Sequence, residues 1–380
     1  MSVLRVGYDV TPFAGPRTGV GNYTHAVFNH MLMRGAGVEF RCLSTGRGEI
    51  DLSPMVSGHD PAVLAMHRHV SLPTRAMYKV WEWSGRPRAD RMLGGVDVYH
   101  ATNYFLPPVA AARTVLSIYD LAFLRNPAWC SPRIVGPFSR AVRRFAGRAD
   151  ALVACSYATK QDIVSLLGVD AARVRVVHGA VSPDFAAMPR PRAVDLLAER
   201  YDLRIPFVLY VGTLEPRKNI EGLLRAFAQV AGDMPHKLVL AGGMGWGMGG
   251  LPALIKELGI EDRVRILGFV DKAHLPALYA AAEVFFFPSH FEGFGLPVLE
   301  AMTCGCPVIT SNTSSMPEAG GEAAQYVNPK DIDQMAACLR MVLGNEALRE
   351  QMSERGLAQA AAFTWDAAAE ATLNLYRSLA

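Results

Sequence analysis

The run FEGFGLPVLEAM carries two glutamates, Glu292 and Glu300, eight positions apart. Glu300 falls about one turn into a predicted helix. An ionised carboxylate only accepts hydrogen bonds, so Glu300 suits a vicinal diol such as ribose, and Glu292, on the loop before the helix, suits the hydroxyls of a bound sugar. Gly293 and Gly295 would expose backbone N–H groups at the helix start, where anions bind. Two ordinary surface carboxylates are the alternative, but their flanks are too apolar and too rich in glycine for an ordinary surface.

Two adjacent cations, Arg217 and Lys218, lie in the loop GTLEPRKN, which follows an apolar strand that ends at Gly212. Arginine offers a planar fork of donors and lysine a point charge, a pair that suits a diphosphate. A solvated charge pair near a helix start is the alternative. The position of the loop, after the first strand of the second half, favours a binding site.

A glycine pair also follows the first strand, in the run TGVGNYT, and a helical pattern continues from it. Gly19, Val20 and Gly21 would let the backbone approach a ligand closely and place free N–H groups beside an anion such as a diphosphate. The run is not the dinucleotide fingerprint, because Thr24 stands where a third Gly or Ala is needed. A glycine turn without a ligand is the alternative.

Short apolar runs alternate with longer helical patterns along the whole chain. Strands that are nearly all apolar are buried on both faces, and their alternation with helices indicates parallel sheets built from βαβ units. Two such sets predict two doubly wound domains that bind ligands outside the carboxyl ends of their strands. The predicted strands are Leu4–Val10, Val38–Leu43, Asp97–Thr102, Thr114–Tyr119, Ala151–Ser156, Val174–His178, Phe207–Gly212, Leu238–Ala241, Val264–Phe269, Val284–Pro288, Pro307–Ser311 and Gln325–Val327.

A proline-rich segment, Ala186–Arg192, lies between the two sets of strands. Such a segment can continue neither a helix nor a central strand, because proline lacks the backbone N–H. It therefore predicts a linker, with the domain boundary near residue 190.

The chain has 380 residues, enough for two domains of typical size, and its 51% hydrophobic and 19% charged residues exclude a disordered polymer. Net charge is only +3, yet residues 1–200 hold 24 Lys/Arg and 15 Asp/Glu (+9), and residues 201–380 hold 14 and 20 (−6). This split predicts two surfaces that meet different partners. The six cysteines show no metal-ligand spacing, and no apolar run approaches the roughly 18 residues that span a bilayer, so we expect a cytoplasmic protein.

The run FEGFGLPVLEAMTCGCPVI resembles the signature of the family 4 retaining glycosyltransferases, whose Glu-x7-Glu motif matches Glu292 and Glu300. The resemblance covers nearly the whole chain, through TGVGNYT, ADALVACSYATKQDI, GTLEPRKNIEGLLRAF, VRILGFVDKAHLPALYAAAEVFFFPS and FTWDAAAEATLNLYRSLA. It implies the α/β GT-B fold, with two Rossmann-like doubly wound parallel-sheet domains facing a central cleft. Residues 1–190 would bind the acceptor, residues 191–365 would bind the nucleotide sugar, and the helix at 366–380 would cross back onto the first domain.

The resemblance also implies roles for the matching positions. Arg217 and Lys218 would neutralise the leaving diphosphate, so no metal or other cofactor is expected. Glu300 would hold the ribose and Glu292 the donor sugar, while the backbone of residues 268–270 would contact the base. The predicted catalytic residues are Asp120, Arg217, Lys218 and Glu292. The other predicted nucleotide-sugar contacts are Gly19, Val20, Gly21, Tyr119, Gly212, Gly268, Phe269, Val270, Gly293, Phe294, Gly295, Leu296 and Glu300.

Tyr119 and Asp120 depart from the family pattern, in which many relatives have His-Asp at the end of the corresponding strand. Tyrosine still donates a hydrogen bond, but its pKa of about 10 makes it a poor base at neutral pH. Asp120 is therefore the better candidate for orienting donor or acceptor. A helix N-cap is its alternative role.

Other polar residues have competing explanations. Asp331-Ile332-Asp333 spells the DxD motif of metal-dependent transferases, but it opens a helical pattern, where aspartate is favoured as a cap. Ser156 suits a helix N-cap at least as well as a phosphate contact. His100, His178 and His290 show no metal-ligand spacing, and we expect structural roles or minor sugar contacts for them.

Positive charge interleaved with aromatic residues marks two segments of the first half, Arg75–Arg91 and Arg133–Arg148. Such stretches dock on anionic lipid headgroups, and an ordinary solvated basic face is the alternative. We expect peripheral contact with the anionic inner face of the membrane and no nucleic-acid partner.

The combination of TGVGNYT, YDLAF and NPAWCSP looks most like the bacterial mannosyltransferases of surface polysaccharide assembly, including lipopolysaccharide. The predicted activity is therefore the retaining transfer of a hexose, with GDP-mannose as the expected donor, to a glycan or lipid-linked oligosaccharide. A catalytically silent sugar-binding partner of a polysaccharide-assembly complex, a GT-B nucleotide-sugar epimerase and a Rossmann dehydrogenase are the alternatives.

Overall fold

The computed structural model describes residues 3–14, 19–48, 50–52, 64–204 and 206–380. The chain divides into two compact units. The first is formed by Met1–Leu124, Arg133–Gly179 and Thr364–Ala380, and the second by Arg125–Pro132 and Ala180–Phe363. Each unit is built on a parallel sheet interleaved with helices. The predicted α/β class with two Rossmann-like, doubly wound sheets is confirmed.

The described part of the first unit contains a seven-stranded sheet. Its strands are β1 (Leu4–Asp9), β2 (Val38–Thr45), β3 (Leu64–Val70), β4 (Val98–Ala101), β5 (Arg113–Ile118), β6 (Ala151–Ala154) and β7 (Val174–Val176). Their order is β3-β2-β1-β4-β5-β6-β7, and neighbouring strands are parallel. The order reverses between β1 and β4, the kind of point at which doubly wound sheets bind ligands.

The helices that connect these strands follow the predicted alternation. They are α1 (Gly19–Arg34), α2 (Thr74–Ser84), α3 (Ala89–Met92), α4 (Ala122–Arg125), α5 (Pro132–Phe145) and α6 (Tyr157–Leu167). Gly168, with φ +66, ends α6 in the left-handed conformation that glycine adopts without strain.

The second unit has a six-stranded sheet among its described residues. The strands are β8 (Phe207–Val211), β9 (Lys237–Ala241), β10 (Val264–Gly268), β11 (Val284–Phe287), β12 (Val308–Ser311) and β13 (Gln325–Val327). Their order is β10-β9-β8-β11-β12-β13, so β8 and β11 are neighbours and their carboxyl ends meet at one edge. Every residue of β8 and β11 is buried, as their apolar sequences predict.

The helices of the second unit complete its α/β layers. They are α7 (Arg190–Tyr201), α8 (Ile220–Ala231), α9 (Leu251–Glu257), α10 (Leu275–Ala281), α11 (Leu296–Thr303), α12 (Met316–Gly320), α13 (Ile332–Leu343) and α14 (Glu346–Ala361).

The last helix, α15 (Trp365–Leu379), belongs to the first unit and packs on α1. Nη2 of Arg34 lies 2.5 Å from Oδ2 of Asp366, and the rings of Tyr23 and Trp365 meet edge to face. An ion pair at the surface and aromatic packing beneath it therefore hold the end of the chain on the first unit.

A buried hydrogen-bond chain ties the same helix to the sheet. The hydroxyl of Tyr376 lies 2.5 Å from Nδ1 of His100, and Nε2 of His100 lies 2.8 Å from Oγ of Ser117. Burial lowers the pKa of His100 to about 3, so the ring is neutral at physiological pH. His100 therefore has the structural role that was one of its two expected roles.

The structure differs from the sequence-based prediction in one strand, in the linker and in the division between the units. Strand β3 is not among the predicted strands because LAMHRHV is not an apolar run; at the sheet edge its residues are only partly buried. The predicted linker also ends early, because α7 begins at Arg190 with Pro191 in its first turn, where the missing N–H costs nothing. The units divide between Gly179 and Ala180, ahead of residue 190.

Candidate active site

Charged side chains meet at the carboxyl end of β8. Nη1 of Arg217 lies 2.7 Å from Oε2 of Glu292, and Nζ of Lys218 lies 2.8 Å from Oε1 of the same carboxylate. Nη2 of Arg217 also lies 2.8 Å from Oε1 of Glu215. The side chains of Arg217, Lys218 and Glu292 are only 16%, 10% and 11% exposed. The structure thus brings together both predicted cations and one of the two predicted glutamates.

Asn219 fixes the loop that carries the cations. It follows the 3-10 turn Pro216–Lys218 and has φ +58, a left-handed conformation that asparagine adopts more readily than most residues. Its Nδ2 donates to the carbonyl oxygens of Pro288 at 3.1 Å and Pro329 at 2.7 Å. One side chain therefore ties the cation loop to the loops after β11 and β13. The sequence-based prediction missed Asn219, although it directly follows the two cations.

Glu292 is ionised at neutral pH. Burial raises the pKa of its carboxyl, but the charges and hydrogen bonds of Arg217 and Lys218 outweigh burial and lower the pKa to about 2. Oγ of Ser289, three positions earlier, donates to Oε1 at 3.1 Å. Because the pKa is far below neutrality, Glu292 has no proton to give and acts as an acceptor that holds both cations.

Serines that the sequence-based prediction did not include hold the backbone around Glu292. The N–H of Glu292 donates to Oγ of Ser314 at 3.0 Å, and Oγ of Ser315 donates to its carbonyl oxygen at 2.9 Å. Two adjacent serines just before the helix start Met316-Pro317 are the signal that could have identified them.

Gly295 shapes the end of the same loop. Its φ is +114, and a Cβ there would lie 2.5 Å from Cε of Met316, so only glycine fits without movement. Phe294, just before it, is buried and meets the ring of Phe363 at 5.4 Å. Gly293 lies in this loop and Leu296 begins α11, so these predicted contacts share one short segment.

Glu300 lies in α11 and is partly exposed. The hydroxyl of Tyr279 donates to its Oε2 at 3.1 Å. Burial raises the pKa of Glu300 to about 7, and the Tyr279 hydrogen bond and the charges of Lys272 and Lys218 only partly oppose this effect. Glu300 is therefore an acceptor whose negative charge is weakly compensated, and donor groups such as a diol would stabilise that charge.

Three glycines mark the carboxyl ends of three neighbouring strands: Gly212 after β8, Gly242 after β9 and Gly268 at the end of β10. The N–H of Gly212 donates to the carbonyl of Ala241 at 2.9 Å, and the N–H of Gly242 donates to the carbonyl of Gly268 at 2.7 Å. A Cβ on Gly242 would lie 1.9 Å from the carbonyl oxygen of Gly212. Gly242, which the prediction missed, therefore holds the two predicted glycines in place.

Phe269 and Val270 follow Gly268 at this edge of the sheet. Val270 is buried, whereas the side chain of Phe269 is 88% exposed. An aromatic ring so exposed at the end of an edge strand of the sheet offers a face for a planar ligand group.

A short segment from the first half of the sequence, Arg125–Pro132, belongs to the second unit. The ring of Trp129 stacks on His290, with centroids 5.6 Å apart and planes 7° apart, and on Phe291 at 6.1 Å. Within the described residues, Nδ1 of His290 is buried without a hydrogen-bond partner. His290 is thus part of an aromatic stack two residues from Glu292.

The predicted glycines of the first unit lie at a helix start. Gly19 is the first residue of α1, followed by Val20 and the buried Gly21, whereas Thr18 of the same run lies outside the described residues. Backbone N–H groups of the first helical turn have no intrahelical acceptor, which is the property the prediction used.

Tyr119 and Asp120 follow β5. The hydroxyl of Tyr119 donates to the carbonyl oxygen of Thr102 at 2.6 Å, so its proton is used within the first unit, and burial raises its pKa. Oδ1 of Asp120 accepts from the N–H of Ala122 at 3.0 Å, so Asp120 forms an Asx turn directly before α4, one residue ahead of the cap position given as its alternative. A catalytic role for Asp120 stays a prediction.

Two other polar residues cap helices. Oγ of Ser156 accepts from the N–H of Thr159 at 2.9 Å, and Oδ1 of Asp331 accepts from the N–H of Gln334 at 2.9 Å. The described residues contain no group of three or more His, Cys, Asp or Glu side chains placed to hold a metal ion. In the same part of the chain, no helix is both long and apolar enough to cross a bilayer.

The second unit therefore combines two cations, which suit a diphosphate, a weakly compensated carboxylate, which suits a diol, and an exposed aromatic ring. All lie in or after loops at the carboxyl edge of a parallel sheet, where α/β proteins bind nucleotides. These features fit the GT-B glycosyltransferases that the sequence resembles.

Comparison with known proteins gives the family. The model of Glycosyltransferase Family 4 matches residues 17–185, and that of Glycosyl transferases group 1 matches residues 199–359. O-antigen chain mannosyltransferase B of Escherichia coli is 31% identical over 391 aligned positions, which cover 99% of this chain and 100% of that protein. The chain belongs to the family 4 retaining glycosyltransferases and is a hexosyltransferase, as the sequence predicts.

Solved structures of similar fold cover nearly the whole chain. Sucrose-phosphate synthase from Thermosynechococcus elongatus matches with a TM-score of 0.76 and 20% identity, covering 99% of both chains. Anabaena HepE, solved with UDP and glucose, matches with a TM-score of 0.75 and 17% identity, covering 99% of this chain and 100% of that one. The predicted GT-B fold is confirmed.

Proposed function

We propose that this glycosyltransferase moves mannose from GDP-mannose to a glycan or lipid-linked oligosaccharide of a bacterial surface polysaccharide, with retention of anomeric configuration. The observation that carries the proposal is the paired binding of Arg217 and Lys218 by Glu292, close to the end of β8. The full-length similarity to an O-antigen chain mannosyltransferase supports mannose as the sugar and a polysaccharide as the acceptor.

In this proposal Arg217 and Lys218 bind the donor diphosphate, in the role that a metal ion has in other transferases. They stabilise the negative charge that builds on the diphosphate as its bond to the anomeric carbon breaks. Glu215 and Glu292 carry two negative charges, which balance the two cations before the donor binds. Both cations are thus positioned without the cost of an uncompensated buried charge.

Glu300 accepts hydrogen bonds from the ribose hydroxyls, and the backbone after β10 contacts the base. Glu292, beside the cations, accepts a hydrogen bond from the donor sugar. The acceptor hydroxyl attacks from the face that the diphosphate leaves, and a phosphate oxygen of the donor takes its proton. The bond to the acceptor oxygen then forms on the same face, so the configuration is retained.

Release of GDP from GDP-mannose by the purified protein tests the proposal, first without acceptor and then with lipid-linked glycan. We expect GDP release that Lys218→Ala abolishes and that Lys256→Ala, an exposed lysine of the same unit, leaves unchanged. Binding without turnover would indicate the silent sugar-binding partner instead. A thermal-shift panel of GDP, UDP, dTDP and ADP identifies the base, and no response to any of them would overturn the nucleotide-sugar function.

We also propose that the first unit docks on an anionic lipid surface through α2 and α5. Trp83 of α2 is 91% exposed, and Ile134 of α5 is also exposed. Nη1 of Arg144 lies 2.6 Å from Oε1 of Glu82, so the two helices are neighbours. The exposed cations of the two segments are Arg75, Lys79, Arg86, Arg88, Arg91, Arg133, Arg140, Arg143, Arg144 and Arg148.

Sedimentation with liposomes tests the docking. We expect binding to vesicles of anionic phospholipid that falls with added salt and is weaker for Trp83→Ala and for Arg140→Glu combined with Arg143→Glu. Arg175→Glu, an exposed arginine elsewhere in the first unit, is the control. Equal binding to neutral and anionic vesicles would contradict an electrostatic surface.

A further inference from the structure

A polar cluster on the second unit has hydrogen-bonding groups left over. Nζ of Lys272 lies 2.8 Å from Oδ2 of Asp184 and 3.4 Å from Oγ of Ser182, and Oγ of Ser182 donates to the same Oδ2 at 2.8 Å. No described residue donates a hydrogen bond to Oδ1 of Asp184, and the ammonium keeps one of its three N–H groups. An acceptor and a donor are therefore available side by side.

This cluster borders the residues that would hold the nucleoside. Lys272 lies two positions after Val270, and its charge is one of the groups that oppose the burial-driven rise in the pKa of Glu300. Phe185, next to Asp184, packs on the ring of Tyr279 at 6.1 Å, and Tyr279 hydrogen-bonds Glu300. Both members of the ion pair thus lie close to the carboxylate for the ribose.

Phe269 adds an aromatic ring to the residues that would surround the nucleoside. Its ring is 88% exposed and follows Gly268, whose φ of +68 turns the backbone at the strand end. A purine whose ribose is bound at Glu300 would find in this loop an aromatic face for stacking and, three positions further on, Lys272 with its partner Asp184.

Resting on the proposed use of a nucleotide sugar, we infer that Asp184 and Lys272 read the edge of the donor base and select guanine. Guanine presents the O6 acceptor, to which Lys272 donates, beside the N1–H and 2-amino donors, from which Oδ1 of Asp184 accepts. Adenine instead presents an unprotonated N1, and uracil presents a second carbonyl where guanine has its amino group. Both would place a lone pair against the carboxylate, so they bind less well.

Isothermal titration of the full chain with GDP, IDP, ADP and UDP tests the inference. We expect the wild type to prefer GDP, and Asp184→Asn and Lys272→Met each to lose roughly tenfold in GDP affinity with little change for UDP. IDP, which lacks the 2-amino group, should bind the wild type more weakly than GDP. Asp233→Asn is the matched control, because Asp233 is 65% exposed and Asp184 67%, and both are ion-paired.

The double variant Asp184→Lys with Lys272→Asp distinguishes recognition of the base from a purely structural role of the ion pair. It keeps an ion pair but exchanges the positions of donor and acceptor. We therefore expect normal folding but no recovery of the preference for GDP. Recovery of the wild-type preference would show that only the pairing matters and would overturn the inference. An unchanged GDP-to-UDP ratio in the single variants, or a wild type that prefers UDP, would overturn it while leaving a nucleotide-sugar transferase. If no nucleoside diphosphate binds, the proposed function fails as well.

Discussion

The ammonium of Lys218 lies between a carboxylate and an aromatic face, 2.8 Å from Oε1 of Glu292 and 4.9 Å from the centroid of the Phe287 ring. The carboxylate is shared with Arg217, which takes its other oxygen. The carboxylate and the ring face both attract the ammonium at a site that is mostly closed to water. A diphosphate bound by these cations would therefore meet donors that are already oriented.

Lys218→Met should abolish most of the activity and lower stability. The substitution removes one of the two cations proposed to bind the diphosphate and leaves Glu292 with Arg217 alone. Loss of one partner of a buried pair costs about 3–5 kcal/mol. We expect at least a hundredfold fall in kcat, with a lower midpoint in urea unfolding. Lys256→Met should change neither quantity, and a fully active Lys218→Met would remove this lysine from the site.

Gly242→Ala should damage the site from a position outside the predicted contacts. Its Cβ would lie 1.9 Å from the carbonyl oxygen of Gly212, so the ends of β8 and β9 must move apart. We expect a loss of roughly 2 kcal/mol or more of stability and a strong fall in nucleotide binding. Gly243→Ala is the control, because nothing lies within 4 Å of its added Cβ. Similar behaviour of the two variants would contradict this explanation.

Glu300→Gln should stabilise the protein at high pH. Burial raises the pKa of Glu300 from 4.5 to about 7, so the folded state binds this proton more tightly than the unfolded chain. That contribution is fully present below pH 4.5 and is lost as pH rises to 7; at about 1.4 kcal/mol per pKa unit it amounts to about 3 kcal/mol. Urea unfolding at pH 8 should favour the variant, and at pH 4.5 the difference should vanish. An equal difference at both pH values would contradict the raised pKa.

Donor affinity should fall below about pH 7 for the same reason. The two ribose hydroxyls donate more strongly to the ionised carboxylate, which offers both oxygens as acceptors, than to the protonated carboxyl. Binding therefore favours loss of the proton from Glu300, and below the pKa this costs up to about tenfold in affinity per pH unit. GDP-mannose is the ligand of choice because its phosphates do not titrate in this range. Glu300→Gln should bind weakly but without this pH dependence. A flat wild-type profile from pH 5 to 8 would exclude Glu300 as the acceptor.

Asp120→Asn should lower activity strongly while leaving stability nearly unchanged. Asparagine forms an Asx turn as aspartate does, so the N–H of Ala122 keeps its acceptor and only the charge is lost. Tyr119→Phe should have a smaller effect on turnover and a clearer one on stability, because it removes the hydrogen bond to Thr102. Near-normal turnover of Asp120→Asn would assign Asp120 to the turn before α4 alone.

Local sequence patterns were sufficient to predict the alternation of strands and helices along the chain. Nearly all strands follow from apolar runs, because strands buried on both faces need apolar side chains throughout. The exception, β3, lies at a sheet edge, where solvent on one side relaxes that requirement. The prediction missed the helix start at Arg190 because it took the prolines as helix breakers. Proline is compatible with the first turn of a helix, and the sequence alone does not show where that first turn lies.

The sequence by itself determined which residue types are present for diphosphate and diol, and their spacing identified the family. Only the tertiary structure decided which side chains these residues contact. Lys218 and Glu292 are 74 positions apart in the sequence, and they meet because β8 and β11 are neighbours in the sheet. The same holds for Gly242 beneath Gly212 and for Asp184 with Lys272. The physical reason is that the pKa of a carboxylate depends on burial and on nearby charges, and strand order rather than sequence spacing determines both.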